Sequence, residues 1–408
     1  MKPQTHESSP QTAASDISTC PSCESGTMQV FYEAKSVPAN SCILLSSQEE
    51  ASGYPRGDVR LGFCPECGFM SNVAFNAKLT EYSGRYEETQ GFSSTFNSFH
   101  KALAQRMIDK YDLHEKDIIE IGCGKGEFLL LLCEMGNNSG TGFDPGFVQE
   151  RIDSPAADRI NFVKDFYSEK YTAYQGDFLC CKMTLEHIHP TAEFIKTVRR
   201  SVGDRLDTVI FFQIPDTTRI IDDCAFEDIY YEHCSYFTPG SLARLFRRCG
   251  FEVIALATEY DGQYLTIEAR PSSHPVGILP PLAEENDLES VKQGVRDFPD
   301  KFAEKRRFWE NRLKQYVAEG KKMVLWGSGS KGVSFLTTLT VPEELQYVVD
   351  INPYRKGYFM SGTGHQIVGP EFLKDYQPDV VIVMNGIYCD EIGKDLAQMG
   401  LTPEIVAL

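Results

Sequence analysis

Four of the thirteen cysteines in this 408-residue chain have the spacing of metal ligands. Cys20 and Cys23 stand in one Cys-Pro-x-Cys turn, and Cys64 and Cys67 stand in a second. Because such a turn points two thiolates at one ion, the two turns together predict a shell of four thiolates around zinc. A closed shell leaves no open position for chemistry, so we expect this zinc to be structural. A redox pair is the alternative, but the doubled motif favours zinc.

The other nine cysteines are scattered, mostly within apolar runs, and we interpret them as small buried side chains. They are Cys42, Cys123, Cys133, Cys180, Cys181, Cys224, Cys234, Cys249 and Cys389. The N-terminal residues lack an apolar signal segment. We therefore expect a reducing, cytoplasmic location, where metal ligation is commoner than disulfide bonding.

A second group of reactive side chains lies in segment 226–237, where Tyr230, Glu232 and His233 stand within four residues. Histidine has an unperturbed pKa near neutrality and suits a general base. A tyrosine hydroxyl can donate a hydrogen bond to a developing oxyanion. The residues alone also allow a second interpretation, in which the segment is an aromatic lid on the core and Glu232 and His233 are solvated.

A glycine-rich loop follows the first strand of a pattern of alternating strands and helices. The apolar strand 117–121 runs into a loop with glycines at 122, 124 and 126, and a helix follows at 127–135. This order brings a ligand against bare backbone at a helix N-terminus. The next strand ends at Asp144, where a carboxylate can hold a ribose diol. A dinucleotide-binding domain of the same topology is the alternative, although the spacing here is E-x-G-x-G-x-G.

A second glycine loop occurs near the C-terminus, between Gly327 and Gly332. It follows a strand and has the G-x-G-x-x-G spacing, and Asp350 ends the next strand. On the motif alone this is a dinucleotide fingerprint, which favours NAD. No convincing pair of residues for hydride transfer follows it, so a phosphate contact is the other interpretation, with Lys331 as an anion partner.

The strands and helices that position these candidate site residues alternate along the chain, which predicts an α/β fold. A length of 408 residues predicts more than one domain, each with its own hydrophobic core. A formal net charge of −18 disfavours nucleic acid and anionic membranes as partners. No run of about 18 apolar residues is present to span a bilayer. We expect a small-molecule substrate and a monomer or weak homodimer. The stretch 283–320 predicts a long charged helix, broken near Pro299, that connects two domains.

The succession of elements over 117–270 resembles the class I S-adenosylmethionine-dependent methyltransferases. In that family the E-x-G-x-G-x-G loop packs on the methionyl part and ribose of the cofactor. An acid after the second strand holds the ribose hydroxyls, and a later acid and aromatic pair lines the adenine. The resemblance therefore implies a cofactor site made of Glu120, Gly122, Gly124, Gly126, Asp144, Asp165, Phe166 and Met183.

Nearly the whole chain is similar to the three-domain sugar C-methyltransferases, which act on nucleotide-linked keto-deoxysugars. The paired cysteine turns, the Tyr-x-Glu-His element at 230–233 and the C-terminal glycine loop carry this resemblance. It implies that His233 is the general base and that Tyr230, Glu232 and Tyr86 line the site, with Tyr82 competing with Tyr86. Glu232 would fix the imidazole tautomer or contact a substrate hydroxyl. The C-terminal domain would enclose the substrate.

Two other functions stay open at the level of sequence. An O- or N-methyltransferase could use His233 to deprotonate a hydroxyl or an amine. An NAD(P)-dependent oxidoreductase could use the C-terminal loop. The His187-x-His189 pair could bind metal but has no third ligand nearby in sequence. Glu186 and His187 could equally line the site or be structural.

The expected organisation is a class I methyltransferase core of Rossmann-like α/β fold between two further domains. A disordered tail at 1–16 precedes a small zinc-binding domain at 17–78. The cofactor-binding methyltransferase domain covers 79–280, and a Rossmann-like α/β domain that encloses the substrate covers 281–408.

Overall fold

The computed structural model describes residues 19–274 and 280–408, so the tail expected at 1–16 lies outside the described residues. The N-terminal region consists of three antiparallel strands and one short helix. Their bounds are β1 Gln29–Pro38, α1 Gln48–Ser52, β2 Arg56–Phe63 and β3 Met70–Asn72. The two cysteine turns lie before β1 and between β2 and β3.

The central region is a seven-stranded sheet with helices on both faces. In chain order its elements are α2 Ser94–Tyr111, β4 Asp117–Ile121, α3 Glu127–Gly136, β5 Ser139–Phe143, β6 Ile160–Val163, β7 Phe178–Lys182, α4 Thr191–Val202, β8 Val209–Pro215, α5 Thr217–Asp222, β9 Ser235–Tyr236, α6 Pro239–Arg248, β10 Phe251–Glu259 and β11 Tyr264–Pro271. The sheet order is β10-β11-β8-β7-β4-β5-β6. β4 to β8 are parallel, and β11 runs antiparallel beside β8. The predicted class I methyltransferase core is confirmed.

The middle strands form because their residues are apolar on both faces, as a sheet covered by two helical layers requires. Successive side chains of a strand point to opposite faces. Ile118 and Phe178 therefore pack with α2 and α3, while Ile119 and Leu179 pack with α4 and α6. Because β4 to β8 are parallel, their carboxyl ends lie at the same edge of the sheet, and a polar loop follows each strand there.

The C-terminal region is a second, smaller α/β unit. Its elements are α7 Leu288–Ala318, β12 Met323–Trp326, α8 Ser330–Thr338, β13 Tyr347–Val349, β14 Gln366–Val368, α9 Leu373–Tyr376, β15 Val380–Val383, α10 Cys389–Gln398 and β16 Glu404–Ala407. All five strands are parallel, in the order β14-β13-β12-β15-β16. The expected Rossmann-like unit is present.

The long helix α7 is not broken at Pro299, contrary to the expectation from sequence. A proline inside a helix costs about 3 kcal/mol. Burial on both sides of the proline offsets that cost, because Phe298 packs edge-on against Tyr32 of the N-terminal region and Trp309 packs against Phe335 of the C-terminal region. In the described ranges no helix, α7 included, combines the length and apolarity needed to cross a membrane.

Two contacts between regions fix the site. Strand β9, which begins two residues after His233, pairs antiparallel with β3 and completes the N-terminal sheet. On the other side, Glu391 of α10 accepts hydrogen bonds from the Ser93 hydroxyl at 2.7 Å and the Ser94 N–H at 2.9 Å, at the start of α2. Both neighbouring regions are thus attached to elements that border the central cleft.

Candidate active site at the junction of three regions

The first cavity opens at the carboxyl ends of β4, β5 and β7 and has a volume of about 640 Å³. That size suits a cofactor-sized ligand. Gly122 and Gly124 line it with φ angles of 69° and 54°, in the left-handed region. A Cβ at Gly122 would lie 2.0 Å from the Thr184 Oγ1, and one at Gly124 would lie 2.6 Å from the Glu88 Oε1. Only glycine fits at these positions, so bare backbone faces the cavity.

Gly126 is not among the residues that line this cavity, although its neighbours Lys125 and Glu127 are. Its φ of 85° and the close approach of Phe162 require a glycine, because a Cβ there would lie 2.8 Å from the Phe162 ring. Gly126 precedes the first residue of α3. Its role is to bring the helix against β6, behind the wall that faces the ligand.

Asp144 follows β5 and also lines the cavity. Its carboxylate accepts the Gly124 N–H at 2.9 Å and the Gly146 N–H at 2.7 Å. Burial raises the pKa of Asp144. A carboxylate has about four acceptor positions. Two backbone bonds therefore leave capacity for the hydroxyls of a ribose.

Glu120 and Met183 border the same cavity from β4 and the loop after β7. The Glu120 carboxylate accepts the Leu129 N–H at 3.0 Å, and burial raises the pKa of this carboxyl to about 7. Met183 has a φ of 48°, which is unusual for a residue with a side chain. Strain of this kind concentrates at functional loops.

Asp165 and Phe166 lie at the far end of the cavity, after β6. The Asp165 carboxylate accepts the Tyr171 hydroxyl at 2.6 Å and pairs with Lys170 at 2.7 Å. The Phe166 side chain is 60% exposed, so its ring is free to cover a planar group. Both residues line the first cavity, and their contact with an adenine ring stays a prediction.

The other end of the cavity contains a compact cluster of buried titratable groups. His233 Nε2 is hydrogen-bonded to the Tyr230 hydroxyl at 2.9 Å and lies 3.9 Å from the Glu186 Oε1. Ligand atoms of Glu186, His187 and His233 all lie within 4.8 Å of one another. Within residues 19–274 and 280–408, neither Glu186 carboxyl oxygen has a hydrogen-bond partner. This cluster can accept and hold a proton away from water.

Burial controls the charge state of the cluster. Burial, with His187 and Lys331 nearby, lowers the pKa of His233 well below its usual value. Burial lowers the pKa of His187 to about 4 and raises that of Glu186 to about 8. At neutral pH both imidazoles are therefore uncharged and able to accept a proton, and the Glu186 carboxyl is mostly protonated.

The Glu232 side chain does not fix the His233 tautomer, which was one of its two expected roles. Its carboxylate instead accepts the Ser41 N–H at 3.0 Å and the Asn40 side-chain amide at 2.8 Å. The carboxylate therefore attaches the N-terminal region to the segment that carries the candidate base, and it is fully buried. Sequence could not find these partners because they lie about 190 residues away.

The linker before α2 contributes two tyrosines to the cluster. The Tyr82 hydroxyl is hydrogen-bonded to the His187 Nδ1 at 2.9 Å, and the Tyr86 ring packs 5.3 Å from that of Tyr82. Both tyrosines line the first cavity. His189 is not paired with His187; its ring stacks on Phe75 at 6.0 Å. The third member beside His187 and Glu186 is His233, which no spacing in the sequence revealed.

A second cavity of about 250 Å³ lies between the central and C-terminal regions. It is lined by the C-terminal glycine loop on one side and by the linker and β8 on the other. The two cavities adjoin, because both are lined by Cys42, Glu88, Thr89, Gln90, Met183, Tyr230 and Ser330. Tyr230 therefore stands where a ligand in one cavity would meet a ligand in the other.

The C-terminal glycine loop is already occupied by its own side chains. Asp350 accepts the Ser328 N–H at 3.0 Å and the Ser328 hydroxyl at 2.5 Å. Arg355 donates to the same hydroxyl at 3.1 Å and to the main-chain oxygen of Glu87. Lys331, considered from sequence as an anion partner, is paired with Asp228 at 2.5 Å.

The four spaced cysteines form one buried cluster, as the sequence predicts. The Cys20 and Cys67 sulfurs are 3.7 Å apart, and so are those of Cys23 and Cys64. A Cβ at Gly26 would lie 2.3 Å from the Cys64 sulfur. Helix α6 donates to this cluster from two arginines: Arg248 to the Cys23 carbonyl at 2.8 Å and Arg244 to the Cys67 carbonyl at 2.9 Å.

Sequence reasoning missed one polar pair that lines the first cavity. The Lys182 Nζ is 2.5 Å from the His100 Nε2. The available signal was a lysine that ends an otherwise apolar strand at the edge where ligands bind. His100 gave no signal of its own, because it lies on the buried face of α2 among apolar residues.

Known proteins match this architecture. A family described as a methyltransferase domain matches residues 95–256, and one described as a C-methyltransferase C-terminal domain matches residues 267–402. The C-methyltransferase NovU of Streptomyces niveus is 22% identical over 365 residues, which cover 86% of this chain and 85% of that protein.

Two solved structures that resemble the chain align with less than half of it. The PH0226 protein of Pyrococcus horikoshii OT3 is 14% identical, with a TM-score of 0.36 over 45% of this chain and 95% of that one. The 1,6-didemethyltoxoflavin-N1-methyltransferase of Burkholderia thailandensis is 15% identical, with a TM-score of 0.33 over 45% and 83% of the two chains.

The fold and the two family matches define the class of the protein: it is an S-adenosylmethionine-dependent methyltransferase. The chain joins a methyltransferase domain to a C-methyltransferase C-terminal domain, and the resemblance to C-methyltransferases is confirmed. The second match spans the C-terminal glycine loop, so it favours this class over the oxidoreductase alternative.

Proposed function

We propose that the protein transfers a methyl group to a carbon atom of a nucleotide-linked keto-deoxysugar, through an enolate. The observation that supports this most directly is the buried pair of His233 and Tyr230 at the junction of the two cavities. Carbon next to a ketone becomes nucleophilic only after it loses a proton. A neutral imidazole and a phenol, 2.9 Å apart, supply the base and the hydrogen-bond donor that this step needs.

His233 Nε2 takes the proton from the carbon alpha to the ketone. The electron pair of that C–H bond moves into the carbon framework, and the ketone oxygen becomes an enolate oxygen. When the substrate binds, the Tyr230 hydroxyl turns from His233 Nε2 to the ketone oxygen, which frees the imidazole lone pair for the proton. Tyr230 then donates its hydrogen bond to the enolate oxygen, with Tyr82 or Tyr86 beside it. S-adenosylmethionine, when bound, supplies an electrophilic methyl group. The remaining task of the chain is to exclude water and to align the enolate carbon with that methyl group.

The residues present fit this cofactor. Backbone at Gly122 and Gly124 and the carboxylate of Asp144 face the first cavity, and Glu120, Asp165, Phe166 and Met183 complete its lining. We assign the cofactor to this cavity and the keto sugar to the second. The second cavity lies between the C-terminal region and the linker, and Tyr230 and Met183 connect it to the first cavity.

The four-cysteine cluster fits a structural zinc. Four sulfurs held 2.3 Å from one ion in a tetrahedron are about 3.8 Å apart. The two measured sulfur separations of 3.7 Å agree with that geometry. We propose that Cys20, Cys23, Cys64 and Cys67 hold zinc, and that the metal stabilises the N-terminal region whose sheet includes β9.

The proposed reaction predicts exchange of a carbon-bound proton before methyl transfer. The protein is incubated in D2O with a nucleotide-linked keto-deoxysugar and S-adenosylhomocysteine, and deuterium at the alpha carbon is followed by NMR. We expect exchange by the unchanged protein and a loss of at least about 100-fold in the exchange rate for His233→Gln. His189→Gln is the matched control and should exchange normally, because His189 lies outside the cluster.

Methyl transfer to an oxygen or nitrogen atom of the substrate would give a different product. If the new methyl group of the product is on oxygen or nitrogen, the enolate mechanism is wrong. If His233→Gln exchanges at the rate of the unchanged protein, another group is the base.

A further inference from the structure

The ammonium group of Lys182 lies on the wall of the first cavity, and the charged group that acts on it most strongly is the Glu120 carboxyl of the same wall. Its hydrogen-bond partner is the His100 Nε2 at 2.5 Å, and the ammonium lies 4.2 Å from the centre of the Phe128 ring. Among residues 19–274 and 280–408 no ion pair includes Lys182. Glu120 makes no ion pair with Lys182 within 4.0 Å, and burial raises the pKa of its carboxyl to about 7, so it compensates the ammonium charge only in part. An anion bound at this wall would stabilise the charged lysine further.

The partner of Lys182 is a neutral ring held in place by packing. His100 is 5% exposed, and the Phe96 and Phe128 rings each lie 5.0 Å from it. Burial and the nearby ammonium lower the pKa of His100 to about 2, so the imidazole accepts a hydrogen bond from the lysine. An ammonium group has three donors. One is used by His100, and two remain for a ligand.

The other lysine of this cavity is not available to a ligand. Lys125 donates to the Tyr86 carbonyl at 2.8 Å and to the Gly146 carbonyl at 3.0 Å, and it lies 3.4 Å from the Glu88 carboxylate. No arginine is among the described residues that line the cavity. In the described part of the chain, Lys182 is therefore the cavity cation that retains donors for an anionic ligand.

The order of the strands places Lys182 at a fixed distance from the ribose end. Lys182 ends β7 and Asp144 follows β5, and β4 lies between them. Neighbouring strands are about 4.8 Å apart, so these two strand ends are separated by roughly 10 Å. A ligand whose ribose is held at Asp144 passes over the glycine loop at Gly122 and Gly124 and reaches Lys182 with its opposite end.

We propose that Lys182, positioned by His100, binds the methionyl carboxylate of S-adenosylmethionine. The assignment rests on the cofactor placement proposed above, but not on the identity of the methyl acceptor. With the ribose at Asp144 and the carboxylate at Lys182, the sulfur lies over the glycine loop beside Met183. Met183 lines both cavities, so this orientation presents the methyl group to the second cavity.

Two ligands that differ only in the amino-acid part test the proposal. S-adenosylhomocysteine carries the carboxylate, whereas 5′-methylthioadenosine keeps the nucleoside and sulfur but lacks it. Isothermal titration should show S-adenosylhomocysteine binding about 10- to 100-fold more weakly to Lys182→Met, the loss of one charged hydrogen-bonded contact. Binding of 5′-methylthioadenosine should stay within about twofold of that of the unchanged protein, which also shows that the variant is folded.

Matched variants separate a specific contact from a general effect of charge. Lys101→Met removes an exposed lysine from α2 and should change neither affinity. Lys182→Arg keeps the charge and should recover most of the affinity for S-adenosylhomocysteine. His100→Leu should give a smaller, several-fold loss for S-adenosylhomocysteine only. A Lys182→Met protein that binds S-adenosylhomocysteine normally, or that loses both ligands to the same extent, overturns the proposal. None of these measurements depends on His233 or on a keto sugar, so they stand apart from the deuterium experiment.

Discussion

The two glycine loops of this protein have the same backbone plan but different capacities for a ligand. In each, an acid after the second strand accepts an N–H from the loop and an N–H two residues beyond itself. Asp144 accepts from Gly124 and Gly146, and Asp350 accepts from Ser328 and Asn352. The shared pattern shows why both loops look like nucleotide sites in the sequence.

Side chains make the difference between the loops. Asp350 also accepts the Ser328 hydroxyl, and Arg355 lies 4.0 Å from its carboxylate. Arg355 and Asn352 in turn bind Glu87 of the linker that carries Tyr86. The second loop is thus used to hold the linker against the site, whereas the first loop keeps its acid available. A glycine motif therefore predicts a backbone shape, and the neighbouring side chains decide whether a ligand fits it.

The largest effect is expected from loss of the proposed zinc. The N-terminal region that contains the cysteine cluster also pairs with β9, beside the first cavity. Cys64→Ser should lower the melting temperature by about 5–10 °C and the bound zinc to near zero. Strand β9, next to His233, pairs with β3 of the same region, so activity should fall as well. Differential scanning fluorimetry and metal analysis measure both quantities. Cys389→Ser, a half-buried position outside the cluster, is the control. Unchanged melting with full zinc in Cys64→Ser would contradict the four-cysteine site.

Replacement of each acid by asparagine, in separate variants, tests the comparison between the two glycine loops directly. Asp144→Asn should weaken S-adenosylhomocysteine binding by about 30- to 100-fold, because it removes the charge that holds the ribose hydroxyls. Asp350→Asn should leave that affinity within about twofold, since Asp350 is bonded to its own loop. Isothermal titration of both variants with S-adenosylhomocysteine measures these affinities. A parallel titration with NADH tests whether the second loop binds a nucleotide. Equal losses of S-adenosylhomocysteine affinity in the two variants would contradict the conclusion that only the first loop has an acid available to a ligand.

The last effect concerns Glu186 in the first cavity, whose carboxyl oxygens have no hydrogen-bond partner among the described residues. Its pKa is raised by burial to about 8 in the folded protein, against a usual value of about 4.3 in the unfolded chain. Between these values the unfolded chain binds fewer protons, so stability falls as pH rises from about 4.3 to about 8. Glu186→Gln should remove this loss and stabilise the protein by up to about 5 kcal/mol at pH 8, and hardly at pH 4.

Urea unfolding at the two pH values measures this difference. Glu150→Gln, an exposed position, should not change the pH dependence. A Glu186→Gln protein that is less stable than the unchanged protein at pH 8 would show that the carboxyl has a partner in the folded state.

Much of the fold could be predicted because strong local patterns decide it. The apolar strand 117–121 has the predicted bounds, and the cysteine turns meet as expected. The motif alone could not show that Gly126 packs against Phe162, because left-handed backbone is needed both beside a ligand and against a neighbouring side chain. The break at Pro299 was wrong because packing on both sides of the proline offsets the lost hydrogen bond.

The sequence by itself determined the succession of strands and helices, the four thiolates and the glycine backbone, since each depends on residues near one another in the chain. Only the tertiary structure decided which side chains share a site. Glu186 and His233 meet because β7 and β8 are neighbours and their following loops fold over one edge. Lys182 meets His100 because α2 covers that edge. The physical reason is that burial and charge pairing act through space, and spacing along the chain does not record them.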